Sequence, residues 1–426
     1  MPTAMRPSPA CLLLLAFVAC SEQSPVPRGE PAGTSAALRV ALADPSGNAA
    51  AATAIRTAQA AVRERADIAN LERLAAQFIN RARTSGDPGY YKQAEACADV
   101  LTTVAGGTLP GALLRGHVRH ALHDFAAAER IARDLVAKRG MPLDLGLLGD
   151  VLLDRGQLDE AKSVYQRMLD LRPGLQSYAR AAQIRWMAGD HAGCRELLQL
   201  AARAGSRRDP ESLAWVLARA ATLELQANDP TQAAHFADEA LALLSDLPAA
   251  RLARGRTALA NDAPKEAVDH LAAAAAAFPL PEHLWAHADA LRAAGRETEA
   301  AQVEAELLRS GEAEDPRTFA LWLATHTRDP GRALRLAEAE HRLRQDAYTL
   351  DVLALARLGI GDVTGARAAI TQALACGVRD ARIEVHAALI AAALGDVEAA
   401  RRHRAAAEAG RAALLPSERS LLSSPQ

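Results

Sequence analysis

The chain has 426 residues, half of them apolar but only 4% aromatic, and is long enough for two or three ordinary domains. That balance suits many small helix–helix contacts better than one thick core. With 49 basic and 51 acidic residues and no long run of either sign, the sequence offers no electrostatic case for a nucleic-acid partner.

In residues 1–19, Arg6 precedes an apolar run over 10–18. This run is about half the roughly 20 residues that span a bilayer, and it fits the central part of an export signal. Met5 is an alternative start. Phe17-Val18-Ala19-Cys20 resembles the lipobox of bacterial lipoproteins, with Phe17 where that family prefers Leu. The resemblance implies that Cys20 is the lipidated N-terminus after cleavage. It also implies an outer-membrane lipoprotein facing the periplasm, because Ser21 replaces the Asp that commonly retains such proteins in the inner membrane. The alternative is a secreted periplasmic protein whose ordinary signal happens to contain Cys20. Residues 20–48 are rich in Ser, Pro, Gly and Ala and read as a flexible tether. Residues 49–69 hold a lone helix that should pack on the first repeat.

From residue 70 onward one pattern recurs. Its clearest copy is 142–175, PLDLGLLGDVLLDRGQLDEAKSVYQRMLDLRPGL: two amphipathic segments broken at Arg155-Gly156-Gln157-Leu158 and closed by Pro173. Gly156 stands where the first helix must exit in a left-handed turn, Asp159 is expected to open the second helix, and Glu160 adds negative charge near its positive end. Gly149 and Ala161 are small residues where helices can press together. The stretch resembles a tetratricopeptide repeat, a 34-residue helix–turn–helix unit that stacks into a solenoid. The family's Trp and Tyr at its fourth and eleventh places are Leu145 and Leu152 here. Counting from the turn and the small residue five positions on, the pattern recurs from Gly86-Asp87 with Ala94, where the turn holds three extra residues, to Gly395-Asp396 with Ala400. Intermediate copies include Gly189-Asp190 with Cys194, Asn228-Asp229 with Ala233, Gly295-Arg296 with Ala300, Arg328-Asp329 with Ala333 and Gly361-Asp362 with Ala366. The expected fold is therefore all-α, a helical-hairpin superhelix of about ten repeats over 70–415, followed by a polar tail at 416–426.

Motifs that carry chemistry are sparse. Gly359-Ile360-Gly361-Asp362-Val363-Thr364-Gly365 has the glycines of a dinucleotide loop, but the preceding residues fit a helix rather than the required strand. His283 and His287 have zinc-ligand spacing without a third ligand or a following Glu. His117, His120 and His123 form a similar run. Cys97, Cys194 and Cys376 are too scattered for a disulfide framework. No nucleophile stands with a base, so no enzyme activity, no cofactor and no metal is expected.

The resemblance directs attention to one surface. In such arrays the first helix of each unit lines a concave groove through places two, five, nine, twelve and thirteen. Trp186, Trp215, Trp285 and Trp322 all map there, and so do Tyr348, Arg256, Asp289, Arg292 and His326. Aromatic anchors with a charged rim suit a protein interface. The alternative is that the tryptophans pack between neighbouring helices. The expected function is a non-enzymatic scaffold in the cell envelope, tethered to the membrane and offering the groove to a protein partner. A metal-binding accessory protein and a cytoplasmic regulator are the two other readings.

Overall fold

The structure is a computed structural model and describes residues 36–45, 49–85, 87, 89–106, 109–207 and 209–423. The signal segment, Cys20 and most of the tether lie outside the described residues, as do Gly86 and the last three residues. Among the described residues there are 23 α-helices, one short 3-10 helix and no strand. No described helix is long and apolar enough to cross a membrane. The chain divides into two compact units, Met1–Val151 and Leu152–Gln426.

The first unit opens with α1 (Ala36–Ala41) and α2 (Ala49–Glu64). α1 falls in the stretch read as tether. Its end is tied down because Gln59 of α2 donates to the carbonyls of Ala41 and Ala43, at 3.1 and 2.8 Å. Polar composition hid a buried edge there, for Ala41 has no exposed surface. Two hairpins follow, α3 (Ile68–Ser85) with α4 (Gly89–Val104) and α5 (Leu109–Ala121) with α6 (Phe125–Lys138). Leu71, Leu74, Phe78, Tyr90, Tyr91 and Leu101 fill the core between α3 and α4. α7 (Pro142–Asp154) carries the boundary between the units.

The second unit continues with α8 (Leu158–Leu171) and then repeats one hairpin. The pairs are α9 (Leu175–Met187) with α10 (His191–Ala204), α11 (Pro210–Gln226) with α12 (Pro230–Leu243), and α13 (Pro248–Ala260) with α14 (Pro264–Ala277). Next come α15 (Pro281–Ala293) with α16 (Glu297–Glu314), α17 (Pro316–Thr325) with α18 (Pro330–Leu343), and α19 (Ala347–Gly359) with α20 (Val363–Ala375). The last pair is α21 (Ala381–Ala393) with α22 (Val397–Ala409). The 3-10 helix Arg411–Ala413 and α23 (Pro416–Ser423) end the described chain. Residues 416–423, read as a polar tail, are thus mostly helix.

Most described hairpins turn by the same local chemistry, although Gln157, Ala263 and Arg296 start α8, α14 and α16 without a side-chain cap. Gly156 has φ +79, and the next amide, Gln157, reaches back to the carbonyl of Leu152 at 2.9 Å. Asp190, Asp229, Asp362 and Asp396 then cap the second helices, each carboxylate accepting the backbone N–H three residues on at 2.9–3.0 Å. The hairpin helices, 10 to 18 residues long, are too short to persist alone, so most of their stability comes from packing on neighbours.

Candidate functional site

The register decides what kind of array this is. The small residue predicted shortly after each turn is Ala94, Ala128, Ala161, Cys194, Ala233, Ala267, Ala300, Ala333, Ala366 or Ala400, and all ten are 2% exposed or less. On the first helix, a Cβ added to Gly116 or Gly255 would lie 2.4 Å from Leu147 or Leu271, so helices approach there as closely as only glycine allows. Paired helices recur in that phase from Ile68 to Ala409. The chain is an array of helical hairpins built like tetratricopeptide repeats.

In the second unit of this repeat array, the face predicted to be an open groove is covered by later parts of the same unit. Trp186 of α9 is buried and donates through Nε1 to the hydroxyl of Tyr348 on α19, at 2.8 Å. Beside them a Cβ on Gly189 would lie 2.6 Å from the carbonyl of Gly377. Gly156 meets the backbone of Gln345 in the same way, at 2.7 Å. Arg344, next in sequence to that contact, is 2% exposed and ringed by Glu340, Asp346, Asp315 and Asp154. Gln226 of α11 donates to Asp380 at 2.9 Å. Trp215 alone among the four tryptophans stays half-exposed, with the Arg219 guanidinium between its ring and that of Trp186, 5.7 and 5.9 Å from their centroids.

Trp322 corrects the sequence reading by one residue. The left-handed residue of its hairpin is Thr327 (φ +50), not Arg328, so the turn holds one extra residue before Asp329 caps α18. Counted from Thr327, Trp322 moves from place nine to place ten and His326 from thirteen to fourteen. Trp322 is accordingly fully buried, stacked on Phe319 at 6.0 Å and packed against His326 at 5.1 Å. Arg292 is engaged as well, at 2.6 Å from Glu304, which also binds Arg328 at 3.0 Å.

The remaining predicted residues converge on the chain's own C-terminal segment. Asn228 Oδ1 accepts the Ala412 N–H at 3.0 Å, and Arg256 donates to the Ala413 carbonyl. Asp289 Oδ2 accepts both the N–H and the hydroxyl of Ser417, at 2.9 and 2.6 Å. Trp285, 1% exposed, donates to the Ser417 hydroxyl at 2.9 Å. Arg382 lies over the Trp285 ring at 5.6 Å and pairs with Glu418. Burial pushes the Asp289 carboxyl up to about 6, despite the two hydrogen bonds from Ser417. Burial would raise Glu418 too, but Arg382 and Arg256 outweigh it and hold the carboxyl below its usual value.

No family model and no curated protein matches the sequence. Solved structures of the same fold type do. The Cut9–Hcn1 hetero-tetramer of APC/C is 14% identical over 88% of this chain and 93% of that one, with a TM-score of 0.39. A tetratricopeptide repeat protein from Parabacteroides merdae is 14% identical over 57% of this chain and 97% of that one, with a TM-score of 0.41. A monomeric IFIT1 mutant with m7Gppp-AAAA is 12% identical over 80% of each chain, with a TM-score of 0.48.

The other sequence candidates take structural places. His283 is 4% exposed, with Nδ1 at 2.6 Å from the Phe278 carbonyl, and burial lowers its pKa. His123 supplies a left-handed turn residue, and its ring stacks on Phe125 at 5.4 Å. Among the described residues no group of three His, Cys, Asp or Glu is arranged to hold a metal. Gly361 makes the turn between α19 and α20, so the loop at 359–365 follows a helix. Burial pushes the thiols of Cys97 and Cys194 up to about 12, which keeps them protonated. A cavity of about 230 Å³ opens among α10, α11 and α12, floored by Leu198, Val216, Leu223 and Phe236.

Sequence reasoning missed Ser417, Glu418 and Arg382, and took Asn228 only as a turn residue. One local signal was available. Pro416 starts α23 and Glu418 Oε2 accepts the Leu415 N–H at 2.8 Å, half of a capping box. Nothing local marks which distant helix the segment meets.

Proposed function

We propose that this protein is a non-enzymatic scaffold that binds an extended or short helical segment of a protein partner on the inner face of its second unit. One observation supports the reading: side chains from α11 to α15 hold a piece of chain by its backbone, at the Ala412 and Ser417 amides and the Ala413 carbonyl. Backbone-directed bonds with an aromatic anchor at Trp285 are how such a face grips a peptide without reading every side chain. Pull-down with Arg256→Ala and Asn228→Ala chains tests it. The expected result is loss of partner capture with unchanged helical content, and capture equal to that of the unaltered chain would contradict the reading.

The location proposed is the cell envelope, with acylated Cys20 anchoring the protein at the outer membrane. The support is residues 10–20 alone: the short apolar run and the small residue before Cys20. Mass spectrometry of the purified native protein is the test. An acylated cysteine at the mature N-terminus is expected, and an unmodified chain still beginning before Cys20 would contradict it.

A further inference from the structure

Residues 411–423 occupy the site that the proposed function assigns to a partner. We propose that they are an internal ligand, displaced when a partner segment with the same order of groups competes for the inner face: small residues, two leucines, a proline, a serine and a glutamate. This rests on the reading of that face as a peptide site.

Three features carry it. Besides apolar packing of Leu414, Leu421 and Leu422 on α21 and α22, the segment is held by side chains from α13, α15, α21 and the turn before α12. Asn228 and Arg256 each take one group, Asp289 takes the N–H and the hydroxyl of Ser417, Arg382 takes Glu418, and Arg419 donates to the Leu259 carbonyl at 3.3 Å. The first three of these bonds go to main-chain atoms, so another chain could make them. Seating also buries charge. Asp289 is 2% exposed and Glu418 1% exposed, and among the described residues the one cation within ion-pair distance of either is Arg382 beside Glu418. Release returns these carboxylates and Arg382 to water, which offsets part of the cost of uncovering Leu414, Leu421 and Leu422 from α21. Finally, the segment follows α22 in sequence yet lies against α13 and α15, far earlier in the chain. An ordinary capping helix would bury its apolar face on the last hairpin alone. This one reaches back 128 residues to Asp289.

Ser417→Asp in the full chain sets a second carboxylate against Asp289 and tests the proposal. Two readings are taken on it: amide hydrogen exchange along the chain, and binding of a labelled synthetic peptide of residues 411–423 added in trans. The expected result is exchange roughly 100-fold faster at Ala412, Leu415 and Ser417 with α15 amides unchanged. The peptide should bind this variant at least about tenfold tighter than it binds the unaltered chain, and Arg256→Ala should abolish that binding. If α15 amides speed up together with the segment, the segment is a fixed part of the core and the internal-ligand proposal falls, leaving the scaffold reading to its own test. If the segment opens alone but the peptide fails to bind, the inner face is no peptide site and both readings fall. Should the variant not fold, the unaltered chain is titrated with the same peptide. Displacement seen as faster exchange at Ser417 supports the proposal, and none at saturating peptide overturns it.

Discussion

Gly189 and Gly295 occupy the same place in their hairpins, with φ +69 and +76, and each exits its first helix in the left-handed turn that the sequence announces. Their surroundings are opposite. A Cβ at Gly189 would meet the Gly377 carbonyl at 2.6 Å, whereas nothing lies within 4 Å of one at Gly295. One glycine is needed twice, for the turn and for the approach of distant backbone, and the other only once. The turns make the array, while contacts such as Gly189 on Gly377 close its inner face, and the two depend on different parts of the sequence.

The comparison can be sharpened by removing what fills the closed face. Trp322→Ala deletes a fully buried ring and should cost about 3–5 kcal/mol, read as an earlier urea transition. Half-exposed Trp215 should cost clearly less when truncated, and equal costs would mean that the two sites are equally buried in solution.

Alanine at the two glycines addresses it directly. Gly295→Ala should cost about 1–2 kcal/mol, the left-handed penalty alone. Gly189→Ala should cost that plus about 1–3 kcal/mol, because carbonyl backbone must move. Equal losses would break the comparison.

Asp289 gives a pH test. Its unfolded pKa is about 3.9 and its folded one about 6, so between those values the folded state holds more proton than the unfolded. Stability contributed by the neutral group is therefore present below about pH 4 and is lost as pH rises through 6, by up to roughly 3 kcal/mol. The carboxyl faces Ser417 and Glu418 of the terminal segment and Arg292 of its own helix. Glu418, held below its usual value, slopes the other way, so the difference between Asp289→Asn and the unaltered chain isolates Asp289. Asn keeps an acceptor for Ser417 and should remove that fall across pH 4–6.

The smallest effect lies in the open turns. Asp362→Ala removes the cap on α20 and should cost about 1 kcal/mol with no change in exchange at Ser417.

Hairpin number, turn positions and buried small residues were legible because glycine or asparagine, then aspartate, then alanine act within one turn of helix. Phase slipped only where Thr327 takes the left-handed place, since threonine carries no turn signal of its own. The places of Trp285, Asp289 and Arg256 on the first helices of their hairpins were legible from that phase. Their occupant was not, because Ser417 and Ala413 meet them across 128 to 157 residues, and no local pattern encodes such a pairing.

Amide hydrogen exchange on the unaltered full chain at neutral pH tests that closure most directly, at Ala412 and Ser417, whose N–H groups end on Asn228 and Asp289. Closure predicts exchange at least about 100-fold slower than in a free peptide of the same sequence. Exchange at the free-peptide rate, with α15 still protected, would contradict it.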